Sequence, residues 1–490
     1  MRDATIGVDL GTQSVRAIVV SSTGETLASG SQKLTSRREG SRHEQEPEEW
    51  WKATAAACRT ALAELPGRVQ IQGVAVDGTS GTILLIDASG RPQTPGLMYD
   101  DTRAVEEANR VNEAGADVWA TLGYNRMQAA WGLPKLLWLL ARRKALSPET
   151  RLAHQTDFIN RRLVGSEVAT DTSNALKTGV DLLNDRWPAE VFTTLGVPCE
   201  ILPAVVRSGT RLGEICATAS AETGISAGTP VIAGMTDGCA AQMGAGALSV
   251  GSWNSVLGTT LVLKGVTADL IKDPAGVVYS HRSPDGNWLP GGASSAGAGV
   301  IAKFFPGRDL EELGKQAADR EPANVVTYPL HGRGERFPFV FPEAEGFTLG
   351  RPTDEIDQYA ASLQGVAFVE RLCFDYLDLL GAPINGPIVF TGGGANSRYW
   401  SQLRADMLGS PVVLPENSEA AVGMAILAAA AERKVADVAP AMVRIRQVID
   451  PQPHRFDLFR ESYLRLIDEL ARRGWLPAAT AQHAHRRAAA

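Results

Sequence analysis

The stretch Asp9-Leu10-Gly11-Thr12-Gln13-Ser14 decides the fold, because it joins two apolar segments through a turn rich in glycine and hydroxyl groups. The alternation of apolar runs and turn residues predicts a meander of antiparallel strands over 5–29. Gly11 lets the backbone approach a ligand, and the following amides and hydroxyls can form a nest for phosphate oxygens. Arg16 adds a positive charge. An ordinary hairpin, in which Asp9 only bonds its own turn, is the alternative.

A second unit of the same kind lies about half a chain later, at Gly258-Thr259-Thr260. It again joins two apolar segments, 256–257 and 261–263. Two such units predict a pseudo-duplicated pair of domains that face one another. The second turn offers the same phosphate-compatible chemistry as the first. This repetition favours a polyphosphate held between two lobes over a pair of ordinary hairpins.

The length of 490 residues exceeds what one hydrophobic core supports, so two domains with a cleft between them are expected. Hydrophobic residues make up 44% and charged residues 21%, values that exclude global disorder. The net charge of −7 and the scattered Lys and Arg residues give no basic field for nucleic acid. A small molecule is the favoured partner.

We place the domain boundary between the turns, with an N-terminal domain at 1–248 and a C-terminal domain at 249–450. A helix at 458–472 within the segment 451–477 is expected to pack on the body, and 478–490 to form a flexible tail. The chain shows neither a leader nor an apolar run long enough to cross a bilayer, which predicts a soluble, cytoplasmic protein without membrane contact.

The cysteines are widely spaced and contain no CxxC pair, which argues against a disulfide framework and a zinc site. The cysteines are predicted to be small core residues, and most of the tryptophans are also predicted to lie in the core. The cysteines are Cys58, Cys199, Cys216, Cys239 and Cys373.

A third glycine-rich segment, Gly392-Gly393-Gly394-Ala395-Asn396-Ser397, follows the strand 388–390 and precedes a helix. Such a turn can seat a nucleotide against bare backbone at a helix N-terminus, where the amides point outward. A strained strand-to-helix loop without a ligand is the alternative. Because three glycines in a row have a real entropic cost, the nucleotide interpretation is favoured.

Asp237 is the candidate catalyst, since it ends a buried strand, 231–235, and starts a helix. Taken alone, this position is equally that of a helix N-cap, and the two roles are compatible. Helix-terminal amides should keep the carboxylate ionised, so that it can accept a hydrogen bond from a substrate hydroxyl. A weak base suffices for phosphoryl transfer through a loose transition state.

Two polar segments are candidates for binding a polyol. Asp77-Gly78-Thr79-Ser80-Gly81 lies between strands and offers hydroxyls and bare backbone. Asp101 and Arg103 follow Tyr99 and could hold a sugar, or could form a salt bridge with each other. The residue types leave both alternatives open.

At these residues the chain resembles the FGGY family of carbohydrate kinases over roughly residues 5–435. The order and spacing of several short motifs carry the resemblance: Asp9 to Ser14, Pro134-Lys135-Leu136-Leu137-Trp138, Thr170-Asp171 with Asn174-Ala175, Thr236-Asp237-Gly238, Gly258 to Thr260, and Gly392 to Ser397.

The resemblance implies an α/β, two-domain actin-like or ribonuclease-H-like ATPase fold with an inter-domain catalytic cleft. Sugar would bind mainly to the N-terminal domain and ATP with Mg²⁺ to the C-terminal one, and a homodimer becomes plausible. Asp237 would be the catalytic base and Asp9 would lie beside the metal and the reacting hydroxyl. The implied sugar contacts are Asp9, Thr79, Ser80, Gly81, Asp101, Thr236 and Asp237. The implied ATP contacts are Gly11, Thr12, Gln13, Arg16, Gly258, Thr259, Thr260, Gly393, Gly394, Ala395 and Ser397.

Within the family, four strings resemble D-ribulose kinases of photosynthetic organisms. They are Val76 to Thr82, Tyr279-Ser280-His281, Gly291 to Ser294, and Gly332 to Pro338. Ser80-Gly81 stands where xylulose kinases carry a Met-His pair and glycerol kinases an Arg-Glu pair. Asp101 and Arg103, however, resemble the Asp-x-Arg of those two groups. The sequence thus predicts an ATP-dependent kinase of D-ribulose, with D-xylulose or another ketose or polyol as the alternative.

Two hypotheses from other classes use the same scaffold. An actin-like ATPase would hydrolyse ATP without sugar, and a silent sugar sensor would bind sugar without turnover. The loop 77–81 and Asp237 favour a kinase over the first, and the presence of both phosphate turns argues against the second.

Overall fold

The computed structural model describes residues 2–142, 147–431 and 433–489. They form two compact units. Unit 1 comprises Met1–Gly246, His281–Trp288 and Asn417–Arg444, and unit 2 comprises Ala247–Ser280, Leu289–Glu416 and Ile445–Ala490. The first crossing, at Gly246, lies close to the predicted boundary at 248. The units nevertheless differ from the predicted contiguous domains, because two later segments of the chain return to unit 1.

The strands are β1 (Arg2–Leu10), β2 (Ser14–Ser21), β3 (Thr26–Lys33), β4 (Arg37–Glu39), β5 (Arg42–Gln45), β6 (Val69–Gly78), β7 (Ile83–Ile86), β8 (Gly96–Leu97), β9 (Arg151–His154), β10 (Thr170–Asp171), β11 (Val205–Val206), β12 (Arg211–Glu214), β13 (Pro230–Ile232), β14 (Trp253–Leu257), β15 (Leu261–Gly265), β16 (Tyr279–Arg282), β17 (Trp288–Ser294), β18 (Val326–Tyr328), β19 (Phe347–Leu349), β20 (Ile388–Thr391), β21 (Val412–Pro415) and β22 (Ile445–Ile449).

The helices are α1 (Pro47–Ala63), α2 (Val105–Thr121), α3 (Gly132–Ala141), α4 (Gln155–Val164), α5 (Thr172–Ala175), α6 (Ala189–Leu195), α7 (Ala217–Thr223), α8 (Asp237–Ala245), α9 (Gly299–Phe304), α10 (Leu310–Ala318), α11 (Glu355–Leu379), α12 (Arg398–Leu408), α13 (Ala420–Ala429), α14 (Val435–Met442), α15 (Arg455–Arg472) and α16 (Ala478–Ala489).

The main sheet of unit 1 has the strand order β12-β13-β6-β1-β2-β3. The predicted meander forms its β1-β2-β3 part, in which neighbouring strands are antiparallel. β6 then runs parallel to β1, and β13 runs parallel to β6. β1 is buried along most of its length, which is why its sequence is a nearly continuous apolar run.

Helix α13 covers one face of this sheet through very close contacts. A Cβ at Gly7 of β1 would lie 1.7 Å from the carbonyl oxygen of Ala421, so only glycine fits there. A Cβ at Gly423 would lie 1.9 Å from the carbonyl oxygen of Ala240 in α8. These contacts place α13 against both the sheet and α8, the helix that begins at Asp237.

The main sheet of unit 2 has the order β16-β17-β15-β14-β20-β21-β22. β15 is antiparallel to both β14 and β17, whereas β20 is parallel to β14 and β21 to β20. This central arrangement repeats that of β1, β2, β3, β6 and β13. The structure therefore confirms the predicted repeat of two strand-turn-strand units. The long helix α11 lies in the hydrophobic core of unit 2.

The C-terminus differs from the sequence prediction. Residues 478–490 were expected to form a flexible tail, but Ala478–Ala489 is helix α16. Ala481, Ala484 and Ala488 are buried at the spacing of one helix face and belong to the core of unit 2. His483 also bonds Asp378, with 2.8 Å between Nε2 and Oδ2. The tail prediction is wrong because small alanines can form a buried stripe without large apolar residues.

The prediction that the cysteines lie in the core is only partly confirmed. Cys58, Cys239 and Cys373 are buried as predicted, but Cys199 is exposed, so its placement in the core was wrong. Within the part of the chain that the structure describes, no helix combines the length and the apolar character needed to span a bilayer.

Candidate functional site

Two carboxyl groups lie side by side where two parallel strands of unit 1 end. Asp9 on β1 is paired in register with Asp77 on β6. Because partners in a parallel ladder project to the same face, the two side chains meet, and they are close enough to share a hydrogen bond. Asp9 is partly exposed, whereas Asp77 is fully buried.

We expect these two carboxyl groups to share a proton. No N–H or O–H group of the described residues donates to either carboxyl oxygen of Asp77. Burial raises the pKa of Asp77 well above its ordinary value, and the nearby charge of Asp9 raises it further. Burial also raises the pKa of Asp9, to about 6. Asp77, which is fully buried, therefore holds its proton more strongly than Asp9, and it is the member of the pair placed to donate to the other.

Asp237 lies close to this pair, since its charge contributes to the raised pKa of Asp9 after burial. It is the first residue of α8, directly after Thr236, which forms a parallel bridge with Gly78 at the end of β6. Its Oδ1 accepts a hydrogen bond from the amide of Gly238 at 2.6 Å. The residue that caps α8 is Thr236, so Asp237 is not the N-cap that the sequence allowed, and its partly exposed carboxylate is not committed to capping.

The first predicted phosphate turn is held from behind by a buried glutamine. Gln45 Nε2 donates to the carbonyl oxygen of Thr12 at 2.7 Å, and its Oε1 accepts from Trp50 Nε1 at 2.6 Å. The Gly11 amide closes the turn by donating to the Ser14 carbonyl at 3.1 Å. These bonds hold the turn's backbone while its outer part stays exposed.

Gln13 in this turn and Arg16 just after it make different contacts. Gln13 is exposed, with its carbonyl oxygen accepting from the amide of Leu34 at 2.8 Å. Arg16 pairs with Glu419, with 2.7 Å between Nη1 and Oε2, and both side chains are partly exposed. A phosphate contact by Arg16 would thus compete with this ion pair.

The predicted sugar loop is fixed at one end and open in the middle. Gln155 Oε1 accepts from both the amide and the hydroxyl of Thr79, at 2.9 and 2.8 Å. Among the described residues, neither Ser80 Oγ nor Gln155 Nε2 has a hydrogen-bond partner. Gly81 has a φ of +90°, a conformation that favours glycine. The loop and Gln155 therefore contain two buried polar atoms for which the described residues provide no partner.

Asp101 and Arg103 adopt the second of the two alternatives that the sequence left open. Asp101 is fully buried, and its oxygens accept from Arg103 Nε and Nη2 and from the amide of His43. The predicted direct sugar contact by Asp101 does not fit this arrangement, because its oxygens already serve an internal ion pair. Instead, Asp101 and the buried Lys135, which donates to the Met98 carbonyl at 2.7 Å, fix the segment that carries Tyr99.

Tyr99 is a site residue that sequence reasoning missed. Its side chain is among the exposed large ones, at 40%. Partial burial raises the pKa of Tyr99, with further contributions from Asp100 and from Asp237. An exposed ring this close to Asp237 offers a surface for a sugar.

In unit 2, the two other glycine turns lie next to each other. Gly258 and Thr259 follow β14, whose Val256 is paired in register with Thr391 at the end of β20. The amides of Ala298 and Gly299 donate to the carbonyls of Gly258 and Thr259 at 2.9 and 3.0 Å. Thr259 itself is exposed. Backbone bonds therefore hold this turn in place.

The glycines of 392–394 serve different purposes. A Cβ at Gly394 would lie 2.4 Å from Leu257 Cδ2. Gly392 has a φ of +80°, and a Cβ there would lie 2.6 Å from the Leu257 carbonyl oxygen. Gly393 is exposed, with nothing within 4 Å of its virtual Cβ. Two glycines thus let β20 pack against β14, and Gly393 leaves its outer side open. Ala395 is buried, and Ser397 caps α12 by accepting from the amide of Trp400 at 3.2 Å.

The carboxylates suit a metal that arrives with its own ligands. Over 2–142, 147–431 and 433–489, no group of three or more His, Cys, Asp or Glu side chains is arranged to hold a metal ion. Mg²⁺ is usually bound through one or two carboxylates together with substrate phosphates. The partly exposed Asp9 carboxylate, beside an Asp77 whose oxygens accept no bond from described donors, fits that pattern.

The structure thus assembles the predicted residues into two groups. In unit 1, Asp9, Thr236 and Asp237 come together with the first turn. In unit 2, the turns at 258–260 and 392–394 come together. That both units bind the same triphosphate stays a prediction.

Sequence reasoning missed Gln45, Gln155 and Ser173, and it named Asp77 and His281 only within longer motifs, without a supporting role. Asp77 had a usable signal, because Val76-Asp77-Gly78 repeats the ending Val8-Asp9 of the other buried strand. The others lack such a signal, since their partners are distant in the sequence.

Comparison with known proteins identifies relatives over nearly the whole chain. Residues 4–244 match the model of the FGGY family of carbohydrate kinases, N-terminal domain, and residues 253–432 match that of the C-terminal domain. The xylulose kinase of Streptomyces coelicolor is 30% identical over 439 residues, which cover 86% of this chain and 87% of the relative. The xylulose kinase of Escherichia coli is 27% identical over 484 residues, 95% of this chain and 99% of the relative.

Solved structures show the same fold. The crystal structure of xylulose kinase from Rhodospirillum rubrum aligns with a TM-score of 0.84 at 26% identity, covering 96% of this chain and 98% of that one. A xylulose kinase from Brucella ovis aligns with a TM-score of 0.85 at 24% identity. These matches confirm the predicted two-domain α/β fold of the ribonuclease-H-like and actin-like type.

Proposed function

Because this chain belongs to the FGGY family of carbohydrate kinases, we propose that it transfers the γ-phosphoryl group of ATP to a hydroxyl of a ketopentose, with D-xylulose as the first candidate. The chain is a sugar phosphotransferase by family, and the substrate is the proposed part. D-xylulose is supported by the names of its relatives, among them one that is 30% identical. D-ribulose, the first expectation from sequence, has less support from these relatives.

The observation that carries the proposal is the group of three carboxyl residues in unit 1. Asp9 and Asp77 end adjacent strands, and Asp237 begins the helix that follows the next strand. Asp237 would accept the proton of the attacking hydroxyl, because it is the one carboxylate of the three that neither shares a proton nor is fully buried. The Asp77–Asp9 hydrogen bond would hold the Asp9 carboxylate towards the reacting groups.

ATP would bind to the two glycine turns of unit 2. The exposed Thr259 offers a hydroxyl and an amide to phosphate oxygens, and the open side of Gly393 leaves room for the nucleoside. The turn at 11–14 would contribute its exposed amides and hydroxyls to the same phosphates. Asp9 would hold Mg²⁺, which when bound supplies neutralisation of charge between the phosphates.

D-ribulose remains the second candidate because of one observation at the sugar loop. Gly81 has a φ of +90°, and a Cβ there would lie 3.0 Å from Lys177 Cδ. A histidine at this position, as in the Met-His pair of xylulose kinases, would be strained in this loop. The sugar contacts of this chain therefore differ from that pattern at one point at least.

A screen of ADP release tests the substrate directly. D-xylulose, D-ribulose, L-ribulose, ribitol and glycerol are compared by kcat/KM at one ATP concentration, because the ratio of these values measures specificity. We expect a ketopentose to be best, with D-xylulose ahead of D-ribulose. Glycerol as the best substrate would contradict the ketopentose proposal. ADP release that is equally fast without any sugar would instead support an actin-like ATPase.

Location and assembly stay predictions. A cytoplasmic location and a homodimer follow only from the sequence and the family resemblance.

A further inference from the structure

The hydroxyl of Ser173 is the centre of a buried polar contact directly behind Asp237. Ser173 Oγ accepts from the amide of Thr236 at 3.1 Å and lies 3.2 Å from the Thr236 hydroxyl. It also lies 3.1 Å from Nδ1 of His281. All three residues are at most 2% exposed. In such surroundings these bonds are costly to lose, because a buried polar group without a partner is strongly unfavourable.

Ser173 is held rigidly by its own turn of helix. Asp171 caps α5, with Oδ1 accepting from the Asn174 amide at 2.8 Å and Oδ2 from Asn174 Nδ2 at 2.7 Å. Thr170 and Asp171 also pair with β11. The motif Thr170-Asp171 with Asn174 therefore serves to present the Ser173 hydroxyl in one place.

Thr236 uses its polar groups in an unusual way for a helix cap. It is the N-cap of α8, but its side chain makes no capping bond to the helix. Both its amide and its hydroxyl contact Ser173 instead. Because Asp237 directly follows Thr236 in the chain, the contact of Thr236 with Ser173 fixes the backbone position from which the Asp237 side chain projects.

His281 reaches this point from a short excursion of the chain. The segment His281–Trp288 belongs to unit 1, although Ser280 before it and Leu289 after it belong to unit 2. Its tip is anchored in unit 1, because Asp285 accepts from the amides of Val435 and Ala436 at 2.8 and 2.9 Å. His281 is thus brought to Ser173 by a segment that is itself fixed.

Each contact of Ser173 has one donor and one acceptor with either neutral tautomer of His281. If Nε2 carries the proton, the Ser173 hydroxyl donates to Nδ1 and the Thr236 hydroxyl donates to Ser173. If Nδ1 carries it, Nδ1 donates to Ser173 and Ser173 donates to Thr236. In both cases the Thr236 amide keeps its acceptor.

We propose that Ser173 and His281 are positioning residues for Asp237, which fix Thr236 from behind and so aim the carboxylate at the substrate hydroxyl. The inference rests on the proposed function, in which Asp237 is the base. It also gives a role to His281 of the Tyr279-Ser280-His281 string, which the proposed chemistry leaves unused. Neither residue touches the substrate.

The first test replaces Ser173 with alanine in the full chain. Because misplacement of a catalytic group by a fraction of an ångström is costly, Ser173→Ala should lower kcat about tenfold while KM for ATP and for the ketopentose stay within about twofold. Hydrogen–deuterium exchange followed by mass spectrometry should show faster exchange in the peptide that contains the Thr236 amide. Ser208→Ala is the matched control, since this serine is also buried in unit 1 and its Oγ has no partner among the described residues.

The second test separates the two nitrogens of His281. The amide of asparagine can take the place of Nδ1, whereas that of glutamine reaches the place of Nε2. We expect His281→Asn to keep kcat within about threefold of the wild type and His281→Gln to lose about as much as Ser173→Ala.

Each result decides the matter. Unchanged kcat in both Ser173→Ala and His281→Gln would overturn the inference, as would His281→Gln being active while His281→Asn is not. An equal loss in Ser208→Ala would show that any buried serine matters, which also overturns it. If the wild type phosphorylates no sugar, the proposed function itself fails, and the positioning role fails with it.

Discussion

The main sheets of the two units share one plan but differ in what stands at the strand ends. In each, a first strand pairs antiparallel with a second and parallel with a third: β1 with β2 and β6, and β14 with β15 and β20. The sequence Leu10-Gly11-Thr12 after β1 matches Leu257-Gly258-Thr259 after β14. The backbone frame is therefore repeated down to the turn.

The matching positions carry opposite chemistry. When the two units are aligned on their Leu-Gly-Thr turns, Asp9 corresponds to Val256. The strand registers then make Asp77, the partner of Asp9, correspond to Thr391, the partner of Val256. Unit 1 thus has a carboxyl pair where unit 2 has uncharged side chains. A triphosphate without Mg²⁺ would be repelled by the first arrangement and accepted by the second, which is why we propose proton transfer in unit 1 and the main nucleotide contacts in unit 2.

The turns are also supported differently. The side chain of Gln45 holds the Thr12 carbonyl in unit 1, whereas backbone amides at the start of α9 hold Gly258 and Thr259 in unit 2. Truncation of one side chain can therefore remove the support of the first turn, whereas the support of the second turn comes from main-chain amides.

The largest expected effect comes from Asp237. Replacing it with alanine should lower kcat about a thousandfold, because a general base contributes 10²–10⁴-fold, while KM for ATP stays nearly unchanged. The control is Asp309→Ala in unit 2, which removes the N-cap of α10 and should leave kcat intact. A full rate in Asp237→Ala would remove the assignment of proton transfer to unit 1.

The carboxyl pair predicts a pH dependence of stability. Burial raises the pKa of Asp9 from 3.8 to about 6, so the folded state binds a proton that the unfolded state has released between these values. The free energy of unfolding should therefore fall as pH rises from about 4 to 6, and fall less steeply above pH 6, where the raised pKa of Asp77 still leaves the folded state with an extra proton. Asp9→Asn should flatten this slope and stabilise the protein above pH 6 by up to about 3 kcal/mol.

Denaturant unfolding at pH 4.5, 5.5 and 7.5 checks this expectation. Asp3→Asn, at the exposed other end of β1, is the control and should keep the slope of the wild type. Equal slopes in Asp9→Asn and the wild type would mean that the pair does not titrate as unit 1 requires.

In unit 2, neighbouring glycines should respond differently. Gly394→Ala places a Cβ 2.4 Å from Leu257 Cδ2 and should cost about 2 kcal/mol of stability. Gly393→Ala meets open space and should leave the unfolding midpoint unchanged while raising KM for ATP. Thermal unfolding and ATP titration of both variants separate the two roles. Equal stability of the two variants would contradict the packing account.

The smallest effect is expected at Gln45. Gln45→Glu keeps the shape but removes the donor to the Thr12 carbonyl, a change worth about 1.5 kcal/mol, and should raise KM for ATP about tenfold. Gln72→Ala, at an exposed glutamine of the same unit, should have no effect. An unchanged KM in Gln45→Glu would show that the first turn does not touch the nucleotide.

Sequence alone predicts those features whose cause is local. The strands around Asp9 and Gly258, the turns and the start of α8 follow from short apolar runs and turn residues. The same reasoning predicted a tail at 478–490, because a stripe of alanines gives little local signal.

Long-range contacts explain what sequence could not predict. The Gln45–Thr12 bond spans 33 positions, Ser173–Thr236 spans 63 and Ser173–His281 spans 108. Neither Gln45 nor Ser173 stands out in its own segment. The return of 417–444 to unit 1 also depends on a long-range contact, because the sequence of α13 does not indicate that this helix packs on β1.

Helix α13 has a consequence for how the protein is made. Thr5 Oγ1 donates to the Ala425 carbonyl across 420 positions, so the first strand and the helix that covers it leave the ribosome at opposite ends of translation. Until α13 is synthesised, the N-terminal half leaves an apolar sheet face uncovered, and we expect this state to be prone to aggregation. A fragment that stops before Asn417 would lack this cover, so we do not expect unit 1 to be obtained by simple truncation.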